Sequence, residues 1–545
     1  MMVWTVTAWV LGTLVALMAI FIVICVVLYF RADFREPNIE IDLKTIAAKE
    51  CAHLAQNRHG VWEVRIKGNA IERGAAYGVA CRELLEYQEE TFFNRILELI
   101  PFKRSVKFLH NIIILFNRNM ARHIPEEYRN EIYAMSLSAS DKYNDFSTKY
   151  VRQLNYHAAH DIGHAMQRYM LVGCTSFAAW GKSSATGEPI VGRNFDFYMG
   201  DDFAKNKMVL FVEPSKGMRF VSLSWPGMMG VVSGMNEQGL SITLNALEGA
   251  MPISSAMPIS LIARHILQHA TTIDEAYAIA KEFKCFVSES MLVASAKDGC
   301  AALIEKTPKC TAIYRSAESH ILCSNHAQSE ALRNEKHNIK NIETTDSLYR
   351  YERLEELFKN HAPIDVKGAI NILRDTRGKH NRDIGLGNEK AINQIIAFHS
   401  VVFEPTKLRL WVSTAPWQLG EFVCYDIGKI FRGEMANKHS YALEELTIAA
   451  DEAAIAKICP RIYRFRELCD LLRTHTNERR RVKDELLREF EALNPHLFLT
   501  YDILGDYMRA IGDRVEARRL WQQALEMEIP RITERRAIER KIKKS

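Results

Sequence analysis

The chain has 545 residues, 48% of them hydrophobic and 25% charged, the balance of a globular protein rather than a disordered one. That length exceeds what a single hydrophobic core supports, so more than one domain is expected. A formal charge of +5 is too small for this size to supply the dense cationic surface of a nucleic-acid binder, and no nucleic-acid partner is expected.

The first element is apolar. Val3 to Phe30 reads VWTVTAWVLGTLVALMAIFIVICVVLYF without a charge, longer than the ~20 residues that cross a hydrocarbon core. No basic residue precedes it and no small-x-small site closes it, so it reads as an uncleaved, single-pass anchor over residues 1–31 rather than a signal peptide. Arg31 and Arg35 favour a cytoplasmic body, but Asp33 and Glu36 lie among them, and the side of the membrane stays open. Eleven cysteines without a CxxC pair suit reduced, buried thiols and leave the compartment open.

Residues 32–60 are polar and mixed, the composition of an arm. From about Trp62 to Met170, runs such as RELLEYQEETFFNRILELI and VKFLHNIIILFNRNMARHI repeat apolar residues every three or four positions, which predicts a helix-rich pre-segment over 32–173. Near its end, YHAAHDIGHAMQ sets His157, His160, Asp161 and His164 at i, i+3, i+4 and i+7, one helical face of metal-ligand types. A polar face beside the following segment serves equally, and is the reading adopted, with no metal and no cofactor.

At residue 174 the texture changes to short β-prone runs. CTSFAAW and PIVGRNFDF are joined by Ser-Ser-Ala-Thr-Gly, and MVLFVEP, MRFVSLSWPG and LSITLNAL follow. Two helices come next, SLIARHILQHA and IDEAYAIAKEF, the second with Thr272 as N-cap. Strands return at MLVASA, AALIEK, TAIYR and HILCSN, then at IIAFHSVVFEP, LRLWVS and EFVCYDI, with helices near 347–359 and 366–374 between. Such blocks predict an α+β layered domain over 174–435. Residues 440–545 read as helical, and TYDILGDYMRAIGDRVEARRLWQQALEMEIP has the small-residue placement of one tetratricopeptide-like unit, to be packed on the catalytic body or on a protein partner.

Cys174 carries the chemistry. A thiol of pKa ~8.5 can pass its proton to an α-amine of pKa ~7.7–8.0 on the same residue, which requires the Gly173–Cys174 bond to be cut. Glycine at 173 permits unusual backbone geometry and close approach for a thiol attacking its own preceding carbonyl. Taken in order, CTSFAAW, GRNFDF, GMNEQGLSITLNAL and CSNHA resemble the N-terminal-nucleophile amidohydrolases of the penicillin acyltransferase, bile salt hydrolase and acid ceramidase group, from about Gly173 to Ile427. The resemblance implies a four-layer αββα sandwich in which the pre-segment stays bound as a second chain after self-cleavage. It implies Cys174 as nucleophile, its freed amine as base, and Arg193 and Asp196 as the pair flanking the thiol and holding that amine. It further implies Asn245 as an oxyanion donor, Asn325 (beside His326) as a second polar position, and a late arginine matched by Arg350 rather than Arg353. Asn194 reads as a structural hydrogen-bonder.

The expected activity is hydrolysis of a linear amide in a small-molecule substrate, lipidic given the anchor, through an acyl-thioester on Cys174. Two alternatives stay open: an acyl-CoA-dependent N-acyltransferase with the same nucleophile, and a catalytically silent membrane-tethered scaffold whose C-terminal helices recruit a partner.

Overall fold

The computed structural model describes residues 16, 18–20, 22–99, 103–165, 173–252, 254–435 and 439–544. Its strands are β1 (Ala52–Gln56), β2 (Trp62–Gly68), β3 (Thr175–Ala179), β4 (Ile190–Phe195), β5 (Met208–Pro214), β6 (Phe220–Ser224), β7 (Ser233–Asn236) and β8 (Leu240–Leu247). They continue with β9 (Ser288–Ser295), β10 (Cys300–Lys306), β11 (Thr311–Tyr314), β12 (His320–Cys323), β13 (His399–Glu404), β14 (Arg409–Ser413) and β15 (Phe422–Asp426). Two sheets result, one of nine strands in the order β1-β2-β5-β6-β7-β8-β9-β10-β11 and one of six in the order β12-β3-β4-β13-β14-β15.

Period-two alternation divides the side chains of the larger sheet between two cores. Met208, Leu210, Met291, Val293 and Ile304 enter the outer core, while Val209, Phe211, Leu292, Ala294 and Leu303 enter the inner one with Val401, Phe403 and Leu410 of the smaller sheet. The helices Ile259–His269 and Ile273–Glu282 cover the outer face of the large sheet, and Ser347–His361 and Val366–Leu373 cover the small one. The layered α+β expectation holds, and Thr272 caps its helix with Glu275 in a reciprocal capping box.

The pre-segment departs from the expected reading. Residues 52–68 form the hairpin β1–β2, and β2 pairs in parallel with β5 from Trp62↔Met208 to Gly68↔Pro214. The alternation Trp62, Val64, Ile66 against Glu63, Arg65, Lys67 is a strand signal that the helical runs beside it obscure. Beyond the hairpin the segment is helical, with Ala70–Ala80, Arg82–Leu99, Lys103–Asn117, Glu126–Ser136 and Lys149–Ala165. Pre-segment and catalytic strands therefore share one sheet and one core.

Among the described residues no helix is long and apolar enough to cross a membrane; much of the expected span Val3–Phe30 lies outside them. The described stretch 22–30 is helical, with Val23, Val26 and Phe30 exposed. It leads to Asp33, whose N–H donates to the Arg118 carbonyl at 2.8 Å and whose carboxylate takes Arg122 at 3.0 Å. All eleven cysteines are free.

The C-terminal helices Glu452–Glu478, Asp484–Leu493, Phe498–Ala510, Arg514–Leu525 and Ile532–Lys544 enclose their own core. A Cβ at Gly505 would lie 2.5 Å from the Trp521 ring, so glycine is what lets the paired helices approach. This unit packs on the catalytic body. Ile395 and Leu419 enter its core, and Arg531 and Glu528 pair with Glu389 and Lys390, both at 2.7 Å.

Candidate active site

β3 and β4 pair antiparallel, with Thr175 opposite Asn194 and Ser176 opposite Arg193. That register brings the residue before β3, Cys174, beside the end of β4. Arg193 Nη2 donates to Cys174 Sγ at 3.6 Å, and the N–H of Gly173 donates to the Asp196 carbonyl at 3.2 Å. Cys174, Arg193 and Asp196 are all fully buried.

Arg193 is fixed at several points. Its Nη1 donates to the Val232 carbonyl at 2.8 Å and to Ser233 Oγ, and its Nη2 to the Leu244 carbonyl. Ser233 in turn meets His399 Nε2 at 2.8 Å, and the guanidinium lies 4.4 Å from the Phe195 ring centroid. Burial pushes the Cys174 thiol up to about 11, with the Arg193 charge pulling the other way. The thiol of the continuous chain is thus protonated at neutral pH and needs a base.

Among the described residues, neither carboxylate oxygen of Asp196 has a hydrogen-bond partner. Burial raises its pKa to about 8 against the opposing charges of Arg350 and Arg193. An unpartnered buried carboxyl is expensive. Beside Cys174 it is a ready seat for a positive charge.

Arg350, from the helix Ser347–His361, reaches the other side of the nucleophile. Its Nη1 donates to the Cys174 carbonyl at 2.7 Å and to Thr175 Oγ1 at 2.9 Å, its Nη2 to Asn325 Oδ1 at 2.6 Å, and its Nε to Asp346 at 2.6 Å. Arg353, one turn on, is an ion-pairing residue on Asp375 at 2.9 Å and Glu356 at 3.1 Å. Asn325 also donates to the Ala246 carbonyl at 2.8 Å. Asn245 accepts from Ser176 Oγ at 3.1 Å, and its Nδ2 donates to the carbonyls of Ser324 at 3.0 Å and Cys323 at 3.4 Å. In the continuous chain its N–H donors are engaged by those carbonyls. Asn194 ties the Leu373 and Ile392 carbonyls at 2.9 and 3.0 Å, the structural task expected of it. His326 is held by Ser324 and Ser347, and burial lowers its pKa to about 4.

Of the histidine face, the described side chains, His157 and Asp161, each have partners elsewhere in the chain. His157 Nδ1 bonds the Gln153 carbonyl at 2.8 Å while its Nε2 accepts from the Met229 N–H at 3.0 Å. Asp161 accepts from the Ile259 N–H at 2.8 Å, at the start of a helix whose N-cap is Pro258. The side chains of His160 and His164 lie outside the described residues. Several neighbours lie outside the quoted motifs: Asp346, Ser233, His399 and Gln394, whose Nε2 donates to the Gly173 carbonyl at 3.0 Å.

Residues 183–416 match the family described as acyl-coenzyme A:6-aminopenicillanic acid acyl-transferase, a stretch that holds Arg193, Asp196, Asn245, Asn325 and Arg350. That match likens the chain to the N-terminal-nucleophile hydrolases and acyltransferases. Members of that class are amide hydrolases or acyltransferases, and this chain is an enzyme of that kind. An uncharacterized protein of Archaeoglobus fulgidus is 25% identical over 429 residues, 69% of this chain and 68% of the relative. Among solved structures, a Caenorhabditis elegans ortholog of N-acylethanolamine-hydrolyzing acid amidase is 18% identical, over 43% of this chain and 93% of that one, with a TM-score of 0.32. A variant of the conjugated bile acid hydrolase of Clostridium perfringens is 11% identical over 47% and 93%, with a TM-score of 0.33.

Proposed function

We propose that this N-terminal-nucleophile enzyme is a self-processing cysteine amidohydrolase. It frees the amine of Cys174 by cutting the Gly173–Cys174 bond, then cleaves a linear amide through an acyl-thioester on that residue. The observation that carries the reading is Asp196: a buried carboxylate with both oxygens unpartnered among the described residues, next to the residue whose cleavage would create an ammonium. Docked there, the new amine is oriented toward its own thiol and takes the thiol proton. Arg193 then faces a thiolate, and its charge favours that form. Asn245 is the neutral donor proposed for the tetrahedral oxyanion, the N–H on its long 3.4 Å contact with the Cys323 carbonyl turning to the substrate, and Arg350 holds Asn325 in place. Water is the default acceptor of the acyl group.

A lipidic acyl chain is the proposed cargo. A small cleft between pre-segment helices and the catalytic sheet is lined by Leu85, Phe92, Tyr156, Phe197, Phe203 and Trp225, with Gln88, Glu89 and Gln153 among them. Phe195, beneath the Arg193 guanidinium, stacks at 5.6 Å on Phe197 and 6.4 Å on Trp225, so aromatic packing runs from the nucleophile's partner to the cleft. The apolar N-terminus is proposed as a membrane tether, whichever side the body occupies. An N-acyltransferase is the second reading, favoured by the acyl-coenzyme A description of the matched family.

The test is a series of N-acyl amides of rising chain length, with and without an acyl-CoA and free amines. Hydrolysis that strengthens with chain length and vanishes in Cys174→Ala supports the amidase. Transfer to amines at the expense of water supports the second reading. Activity persisting in Cys174→Ala removes both.

A further inference from the structure

Gly173 does not adopt a positive φ, so left-handed backbone freedom is not what this position requires. A Cβ built there would lie 2.7 Å from Gln394 Nε2 and 3.2 Å from its Oε1. The side-chain amide occupies the space a larger residue would fill, and Gln394 is only 2% exposed. From that place Nε2 donates to the Gly173 carbonyl oxygen at 3.0 Å. This is the oxygen of the bond to be cut. Negative charge collects on it when Cys174 Sγ adds to the Gly173 carbonyl carbon.

The segment around Gln394 is held in a costly shape. Ile395 has φ +57°, an outlier for a β-branched residue and one that persists only where its surroundings impose it. Its N–H is taken by Asn393 Oδ1 at 2.9 Å, and its carbonyl by Arg466 of the C-terminal helices at 2.7 Å. Asn393 is itself tied to the Asp375 carbonyl at 2.8 Å. Turn and C-terminal unit together aim the amide.

We propose that Gln394 is a catalytic residue of self-cleavage, its side-chain N–H stabilising the oxyanion formed on Gly173, with Ile395 and Arg466 as positioning residues. The inference rests on the self-processing reading above. In the step, the Cys174 S–C bond forms at the Gly173 carbonyl carbon and the C–N bond to Cys174 breaks, the thiol proton passing to the departing nitrogen. Water then adds to the thioester, its oxygen going to Gly173 and one hydrogen restoring the thiol. The Gly173 carboxylic acid gives its remaining proton to the new amine. Neither stage needs an oxidant or a metal. A buried neutral donor aimed at such an oxygen is worth roughly 10²–10³ in rate.

The full chain is synthesised in a cell-free system, and the uncleaved fraction is followed by denaturing gel, with intact mass locating the break. Wild type is expected to break between Gly173 and Cys174, and Gln394→Leu to do so roughly 10²–10³ more slowly. Gln394→Glu keeps the shape should the leucine variant not fold. It should be slow at neutral pH and recover as the pH falls, because a protonated carboxyl regains a donor. Wild-type rates at neutral pH in either folded variant overturn the assignment, and so does a Gln394→Glu that is slow at every pH, which would make the amide a packing element. An uncleaved wild type instead removes the self-processing reading, and this inference with it.

Discussion

Two buried carboxylates, each in the company of two arginines, behave in opposite ways. Glu131, from the pre-segment helix Glu126–Ser136, accepts from Arg73 and Arg264, both at 2.6 Å. Burial pushes its pKa up, yet the charges of Arg264 and Arg73 outweigh that and leave it lowered. Asp196 is as deeply buried, but the terminal donors of Arg193 and Arg350 go to Sγ, carbonyls, Ser233, Thr175 and Asn325, and burial leaves its pKa at about 8. Distance to a charge is evidently not enough; a donor has to point at the oxygen. The first carboxylate is a staple, since Arg73 and Glu131 belong to the pre-segment and Arg264 to the catalytic domain, and it is suited to hold two chains together after cleavage. Under the proposed self-cleavage, the second would receive the ammonium freed at Cys174.

The comparison breaks most visibly at Asp196. Asp196→Asn removes the seat of the amine, and amidase turnover should fall by roughly 10²–10⁴, measured as kcat on the best N-acyl amide. Glu131→Gln leaves two guanidiniums buried without their counter-charge, which costs about 3–5 kcal/mol. It should appear as a lower denaturation midpoint, and as loss of the pre-segment from cleaved protein on gel filtration in mild denaturant.

The two groups also give stability opposite dependences on pH. In uncleavable Cys174→Ala, the folded Asp196 keeps a proton that the unfolded chain releases above about pH 4. Its contribution is therefore full below that value and drains away as the pH rises to about 8. Glu131, with a lowered pKa, stabilises above the usual carboxylate range and loses that contribution as the pH falls through its folded value. Melting temperatures from pH 4 to 8 should decline less steeply in Cys174→Ala/Asp196→Asn than in Cys174→Ala. Equal slopes would mean that Asp196 is already paired. The smallest effect is expected at Arg353→Lys, which loses the two-pronged contact with Asp375 at a cost of about 1 kcal/mol and leaves turnover within about twofold.

What could be read in advance follows from the range over which each feature acts. GRNFDF places Arg193 on β4 and Asp196 just past its end, three residues apart, and a hairpin suffices to return them to Cys174, so that part of the arrangement was legible. Arg350 over Arg353 was legible as a family match, and the fold accounts for the choice, since only Arg350 faces β3. Gln394 was not, because its contact joins positions 221 residues apart and its surroundings, AINQIIAF, carry no pattern. The staple was hidden for the same reason, as Glu131 and Arg264 lie on helices from different segments. The helical spacing of His157 and Asp161 is visible in the sequence, but their partners, Met229 and Ile259, come from elsewhere in the chain and carry no local signal.

The most direct test is peptide mapping by mass spectrometry of catalytically active protein. A new amino terminus at Cys174, with the 1–173 fragment ending in a free glycine carboxylate, is the expected result. Full activity in material whose 173–174 peptide bond is intact would contradict it.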